Sequence, residues 1–132
     1  MPKARPAPVA APRRAIRPRV HLTPDVLLGP GKIDLLRQVD EKRSISAAAR
    51  AMNMSYKRAW QLVDVLNRDF GAPVVATATG GTGGGGARLT DLGCAIVDHY
   101  TALEQRLNAA ASAELAALRR LLPGAPRVRR RG

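Results

Sequence analysis

The stretch from Ile45 to Leu62, ISAAARAMNMSYKRAWQL, decides how the chain is read. Ser44-Ile45-Ser46 forms a break, and Ser46 is a candidate N-cap for a short alanine-rich helix over Ala47–Met52, because a serine hydroxyl accepts one of the orphan amides of a first helical turn. Asn53 ends that helix; asparagine is among the few non-glycine residues that tolerate the left-handed backbone of a tight turn. Ser55 caps a second helix, about Tyr56 to Phe70, with Ala59, Leu62, Val63, Leu66 and Phe70 as its buried stripe. Ala48 and Ala49 are small where two helices must cross. The same spacing suits an ordinary pair of core helices, but small crossing residues, a permissive turn and a returning apolar stripe in one register favour a helix-turn-helix.

Outward from this motif the pattern extends both ways. Upstream, Ile33, Leu36 and Val39, with Leu35 alongside, give one apolar face to a helix over roughly Gly31–Lys42. Val20 and Leu22 can start a short edge strand, and MPKARPAPVAAPRRAIRPR before them, rich in proline and poor in large apolar residues, reads as a mobile basic arm over 1–20. Downstream, Val74–Thr77 and Ala87–Leu89 are strands around a glycine-rich loop from Gly80 to Gly86, the form of a wing. Thr90 caps a helix expected to run unbroken to Leu122, stopped by Pro123-Gly124. Its Leu92, Ile96, Tyr100, Leu103 and Leu107 recur at three- and four-residue steps and form the expected dimerisation seam, with the partner a second copy of the same helix. The expected fold class is mainly α: a winged helix-turn-helix domain over 21–89, a long dimerisation helix over 90–122 and a disordered basic tail over 123–132.

Charge points to the partner. The chain has 132 residues and a formal charge of +12. Lys3, Arg5, Arg13, Arg14, Arg17 and Arg19 at one end and Arg119, Arg120, Arg127, Arg129, Arg130 and Arg131 at the other carry the whole excess, and the intervening part is balanced. It is nonetheless polarised, since Lys42, Arg43, Arg50, Lys57 and Arg58 share a window from 42 to 58 that holds no acid. Double-stranded DNA is therefore the expected partner, ahead of a membrane surface. Opposite the buried stripe of the second helix stand Lys57, Gln61, Asp64 and Arg68, with Arg58 to one side; Tyr56, Lys57, Arg58 and Gln61 in the first turns are the candidates for reading bases. Ser55, Arg50 and Lys42 suit phosphates, and Thr79, Thr82 and Arg88 are the wing's candidates. Each basic residue also fits a plain solvated face, and Trp60 fits boundary packing better than a DNA contact.

Other chemistries find little support. GGTGGGG matches a dinucleotide fingerprint only because it is so rich in glycine, and it leads into a strand rather than opening a helix. His21 and His99 are isolated, no nucleophile and base stand together, and neither an enzyme, a cofactor nor a metal site is expected. A single cysteine, Cys94, rules out an internal disulfide, and the proline-rich start is neither a signal peptide nor a span, so a cytoplasmic setting is expected.

The segment SISAAARAMNMSYKRAW, the loop ATGGTGGGGARLT from Ala78 to Thr90 and Gly93 soon after resemble the N-terminal domain of the ModE family of molybdate-responsive regulators, which is related to LysR-type regulators. The likeness runs from about Leu28 to Leu107. It implies a homodimeric transcriptional regulator with a recognition helix starting at Ser55 and a wing over Thr77–Arg88. Full-length members carry C-terminal molybdate-binding modules, whereas this chain ends in GAPRVRRRG. The expectation is therefore that any effector is sensed by a separate protein, or that the regulator answers to something else or binds DNA constitutively. The expected function is recognition of a palindromic operator in molybdenum-related or other metabolic gene control; the alternative is a nonspecific architectural DNA-binding protein that relies on its basic tails.

Overall fold

The computed structural model describes residues 14–78 and 86–124. The first element is a small antiparallel hairpin, β1 (Val20–Thr23) and β2 (Val26–Leu28), where a strand beginning at Val20 was expected but its partner was not. Its turn is closed by Thr23, whose Oγ1 accepts from the Asp25 and Val26 amides. Pro30 then opens α1 (Pro30–Lys42), its fixed φ suiting a first helical position. Ile33, Leu35, Leu36 and Val39 on α1 have no exposed surface at all. Each is worth about 1.5–3 kcal/mol in removed apolar area.

Arg43 ends α1 in the left-handed region, φ 57°, and its amide donates to the Val39 carbonyl. The chain turns at once into α2 (Ile45–Ala51), so that Ser44, not Ser46, is the cap: Ser44 Oγ accepts from the Ala47 amide at 3.0 Å. Ser46 instead accepts from Arg50 on the surface. The correction follows from Arg43, whose left-handed backbone completes the turn early and starts α2 two residues sooner than expected. Asn53 adopts φ 55° and starts the turn to α3 (Tyr56–Phe70), which Ser55 caps by accepting from the Arg58 amide at 2.9 Å. Ala48, Ala49, Ala59, Val63 and Leu66 are buried where α1, α2 and α3 meet, while Leu62 and Phe70 pack on the core only in part. Gly71, at φ 75°, terminates α3.

The wing is β3 (Val75–Ala78) paired antiparallel with β4 (Gly86–Leu89), Thr77 opposite Ala87 and Val75 opposite Leu89. Val75, Ala87 and Leu89 turn inward, and Arg88 turns outward. Three hydrogen bonds seat it, two of them between backbone groups. The Ala87 amide donates to the Arg43 carbonyl, the Val74 amide to Asn67 Oδ1 at the end of α3, and the Thr90 amide to the Val74 carbonyl. Thr90 also caps α4 (Asp91–Ala110) through Oγ1 and the Gly93 amide.

The long C-terminal helix is not continuous. It breaks at Ala111, where φ −98° and ψ 8° leave the helical region, and resumes as α5 (Ser112–Arg120), which buries no residue. The N-terminal arm is also corrected over 14–20, for Ile16 exchanges two hydrogen bonds of 2.9 Å with the Asn108 amide and Tyr100 donates to the Pro18 carbonyl at 2.7 Å. Arg17 pairs with Asp34, and buried Glu104 lies 3.2 Å from Arg37 and 3.9 Å from Arg14. Composition suggested disorder because the acids that hold these arginines lie far along the chain. Residues 1–13 and 125–132 lie outside the described residues, as do Thr79, Thr82 and the loop through 85.

Gly93 cannot carry a side chain: a Cβ there stands 2.2 Å from the Val74 carbonyl oxygen. Gly93→Ala is expected to cost about 1–3 kcal/mol or more, as overpacking does; a denaturant midpoint equal to wild type contradicts this packing. Burial and the Glu104 carboxylate raise the Tyr100 pKa above 10.0. Its contribution is thus complete at neutral pH and lost only as pH rises through that raised value. Tyr100→Phe, which removes the bond to Pro18, is expected to destabilise by about 1 kcal/mol at neutral pH in thermal unfolding.

Candidate nucleic-acid interface

The exposed side of α3 follows from the buried one. With Ala59, Val63 and Leu66 inward, Lys57, Gln61, Asp64 and Arg68 are all exposed on the opposite face, and Arg58 is exposed beside them. Helical rise of about 1.5 Å per residue puts Asp64 about 10 Å beyond Lys57 along the axis. A carboxylate repels phosphates, so Asp64 separates the positive first two turns, with Lys57 and Arg58, from Arg68 further along the face. The free amides of the α3 N-terminus add partial positive charge at the same end. Ser55 uses its oxygen as a cap acceptor and retains its hydroxyl hydrogen for an outside acceptor.

Tyr56 is 57% exposed, and its ring meets Trp60 edge-on, with centroids 6.3 Å apart and planes at 77°. Trp60 itself is half-buried against the core, as boundary packing requires. Between this pair and the wing lies a cleft of about 200 Å³, lined by Ser44, Ser46, Tyr56, Trp60, Thr77 and Gly86 among others. The recognition helix, the start of α2 and the wing therefore face one space. Arg88, on the outer face of β4, is exposed, and so is Arg50, tied to Ser46 at 3.2 Å. Lys42 and Arg43 extend the basic surface at the α1–α2 corner; Arg43, absent from the contact candidates, carried no sequence signal beyond its charge.

The proposed seam divides. Ile96 and Tyr100 are 6% and 2% exposed within the chain itself and belong to its own core. Their expected role as free dimerisation residues is corrected, because the sequence spacing does not distinguish a face turned to α1 from one turned to a second copy. Leu92 and Leu103 are partly covered and Leu107 is 36% exposed. Leu92, Leu103, Val20, Leu22 and Phe70 border an apolar groove of about 280 Å³ between the β1–β2 hairpin and α4. Among the described residues no helix is long and apolar enough to cross a membrane, and no acid, cysteine and histidine cluster could hold a metal ion.

This arrangement, a helix-turn-helix with a two-stranded wing on an α1 scaffold, defines a winged helix-turn-helix DNA-binding domain. Residues 31–94 match the family described as bacterial regulatory helix-turn-helix protein, lysR family. The chain thus carries a LysR/ModE-type DNA-binding domain of transcriptional regulators. It is 36% identical over 117 residues to the molybdenum transport protein ModE of Azotobacter vinelandii, covering 79% of this chain and 43% of that protein. It is 44% identical over 77 residues to the molybdenum-pterin-binding protein MopB of Rhodobacter capsulatus, covering 58% and 28%. With the DNA-binding transcriptional dual regulator ModE of Escherichia coli K12 the identity is 40% over 76 residues, covering 58% and 29%. The chain spans less than half the length of these curated relatives. Among solved structures, the fold is similar to the DNA-binding domain of CbnR in complex with DNA, with TM-score 0.52 at 19% identity over 67% of this chain and 97% of that one. Full-length LysG from Corynebacterium glutamicum gives TM-score 0.53 at 22% identity over 73% and 31%.

Lys57→Ala or Gln61→Ala is expected to cost about 1–3 kcal/mol of binding to a preferred sequence and to relax preference at one base position. Equal losses on all sequences reassign the residue to a phosphate.

Proposed function

We propose that the protein is a transcriptional regulator that reads a palindromic operator as a homodimer, in the control of molybdenum-related genes. The observation that carries DNA reading is the exposed Lys57–Gln61 face at the start of α3, beside Tyr56 and Trp60, which line the cleft shared with the wing. Support for a dimer comes from apolar surface continuing along the C-terminal helices: Leu107 is joined by Leu118 at 61% and Leu122 at 60% exposure, beyond the groove on α4. A second copy laid along α4 and α5 covers that surface. The names of the relatives, a molybdenum transport protein ModE and a molybdenum-pterin-binding protein, support the gene class.

A nonspecific, architectural mode is favoured by one feature, the +12 charge. Counterion release from each neutralised phosphate makes affinity steeply salt-dependent without sequence preference. Selection of bound sequences from a random duplex pool at physiological salt separates the two. A regulator yields a palindrome with half-sites about 34 Å, or roughly ten base pairs, apart, bound at least about a thousandfold better than scrambled DNA. Affinity without a consensus, abolished by deleting residues 1–13 and 125–132, supports the architectural mode instead. Leu107→Glu combined with Leu118→Glu is expected to shift the chain to monomer in sedimentation and to weaken operator binding by at least tenfold (about 1.4 kcal/mol); an unchanged mass and affinity rejects the α4–α5 seam.

A further inference from the structure

Arg43 occupies a backbone position that suits glycine. At φ 57° and ψ 31° its Cβ crowds the backbone, a cost glycine does not incur, and arginine has neither asparagine's short polar side chain nor its ease in this region. The backbone at this corner supports the wing directly, for the Arg43 carbonyl accepts from the Ala87 amide at 3.0 Å and holds β4 near the loop end of the hairpin. That hydrogen bond needs no side chain. A Cβ on Gly86 comes to 3.4 Å from the same carbonyl, so wing and corner are in contact.

The side chain has its own placement. It is exposed, and its Nε donates to the Asp40 carbonyl at 3.1 Å, which fixes the stem against the end of α1 and uses one of the guanidinium's five N–H donors. Arg43 stands next to Ser44 in the chain and against Gly86 in space, and both of these line the cleft shared by α3 and the wing. Lys42 precedes it, and the window from 42 to 58 has no acid.

We propose that Arg43 is a phosphate-binding residue, a clamp beside β4 of the wing that holds the DNA backbone where it passes between the wing and α2. This rests on the reading of the α3–wing face as a DNA interface. The side chain confers affinity rather than sequence preference, since a phosphate carries no base information. The strained backbone is retained because glycine, the easier residue there, supplies no charge.

The test is duplex binding by the full chain and by Arg43→Gly, with salt as the variable. Arg43→Gly is expected to keep or raise the thermal midpoint, because its backbone suits φ 57° better. It is expected to bind more weakly, with the slope of log affinity against log salt reduced by about 0.9 for the one lost phosphate contact. The deficit therefore narrows by about three- to fourfold between about 50 and about 200 mM salt. Arg43→Lys is expected to restore most of the slope. Wild-type affinity and slope in Arg43→Gly overturn the proposal, as does lower affinity at an unchanged slope, which leaves Arg43 only a seat for the wing. Should Arg43→Gly fold poorly, Arg43→Asn, uncharged and tolerant of this backbone, is measured in the same way, and poor folding of both also overturns it. Absence of duplex binding by the wild-type chain is a distinct result, since it removes the DNA-interface reading itself.

Discussion

Ile33, Leu35, Leu36 and Val39 present a helix face with no solvent exposure, and α2, α3 and the wing are positioned by packing on it. α2 lies across α1 through Ala48 and Ala49, α3 leans in through Ala59 and Val63, and β4 and α4 close the remaining sides. Alanine matters at these crossings because it lets the helix backbones approach; a larger side chain there displaces α3 and so moves Lys57 and Gln61 with it. Close packing transmits such shifts rather than absorbing them. The aim of the recognition helix is therefore a property of a core it does not itself make.

The wing is tied to the same scaffold by main-chain groups and one asparagine side chain. Two carbonyls, Arg43 at the α1–α2 corner and Val74 at the start of the wing, accept the Ala87 and Thr90 amides. Asn67 bridges the end of α3 to Val74, and Gly93 allows α4 to approach the Val74 carbonyl with no side chain between. Because both strands are short, the hairpin has little stability of its own. These contacts make the angle between wing and recognition helix a consequence of the domain core, and the two can meet one DNA surface together.

On the far side, the segment from Arg14 to Pro18 straps α1 to α4. Arg37 stands at its centre, bonded to Asp34, Thr101 and Glu104, with its guanidinium 5.9 Å from the centre of the Tyr100 ring. Glu104 is 3% exposed, and a buried carboxylate is tolerated only with partners of this kind. The strap occupies Asn108 and Tyr100, and it separates the part of α4 that belongs to the chain's own core from the apolar part, with α5, that is left outward. Part of the basic arm's charge, on Arg14 and Arg17, is thus paired with acids of the fold.

Local chemistry alone determined the helix-turn-helix. Periodicity marked α1 and α3, Ser55, Asn53 and Thr90 act within a few residues of themselves, and the exposed face of α3 follows from its apolar stripe by helical geometry. These features depend on short-range hydrogen bonds and on the 3.6-residue repeat, so they are legible without the fold. Tertiary structure decided the rest. Ser44 displaced Ser46 as a cap because Arg43 adopts a left-handed backbone that its side chain does not announce. Ile96 and Tyr100 turned inward because α4 packs on α1, and a repeat on one helix cannot say which neighbour it meets. The strap was invisible because Asp34, Glu104 and Asn108 lie far from Arg14, Ile16 and Arg17 in sequence, and pairing over such distances exists only once the core has brought them together.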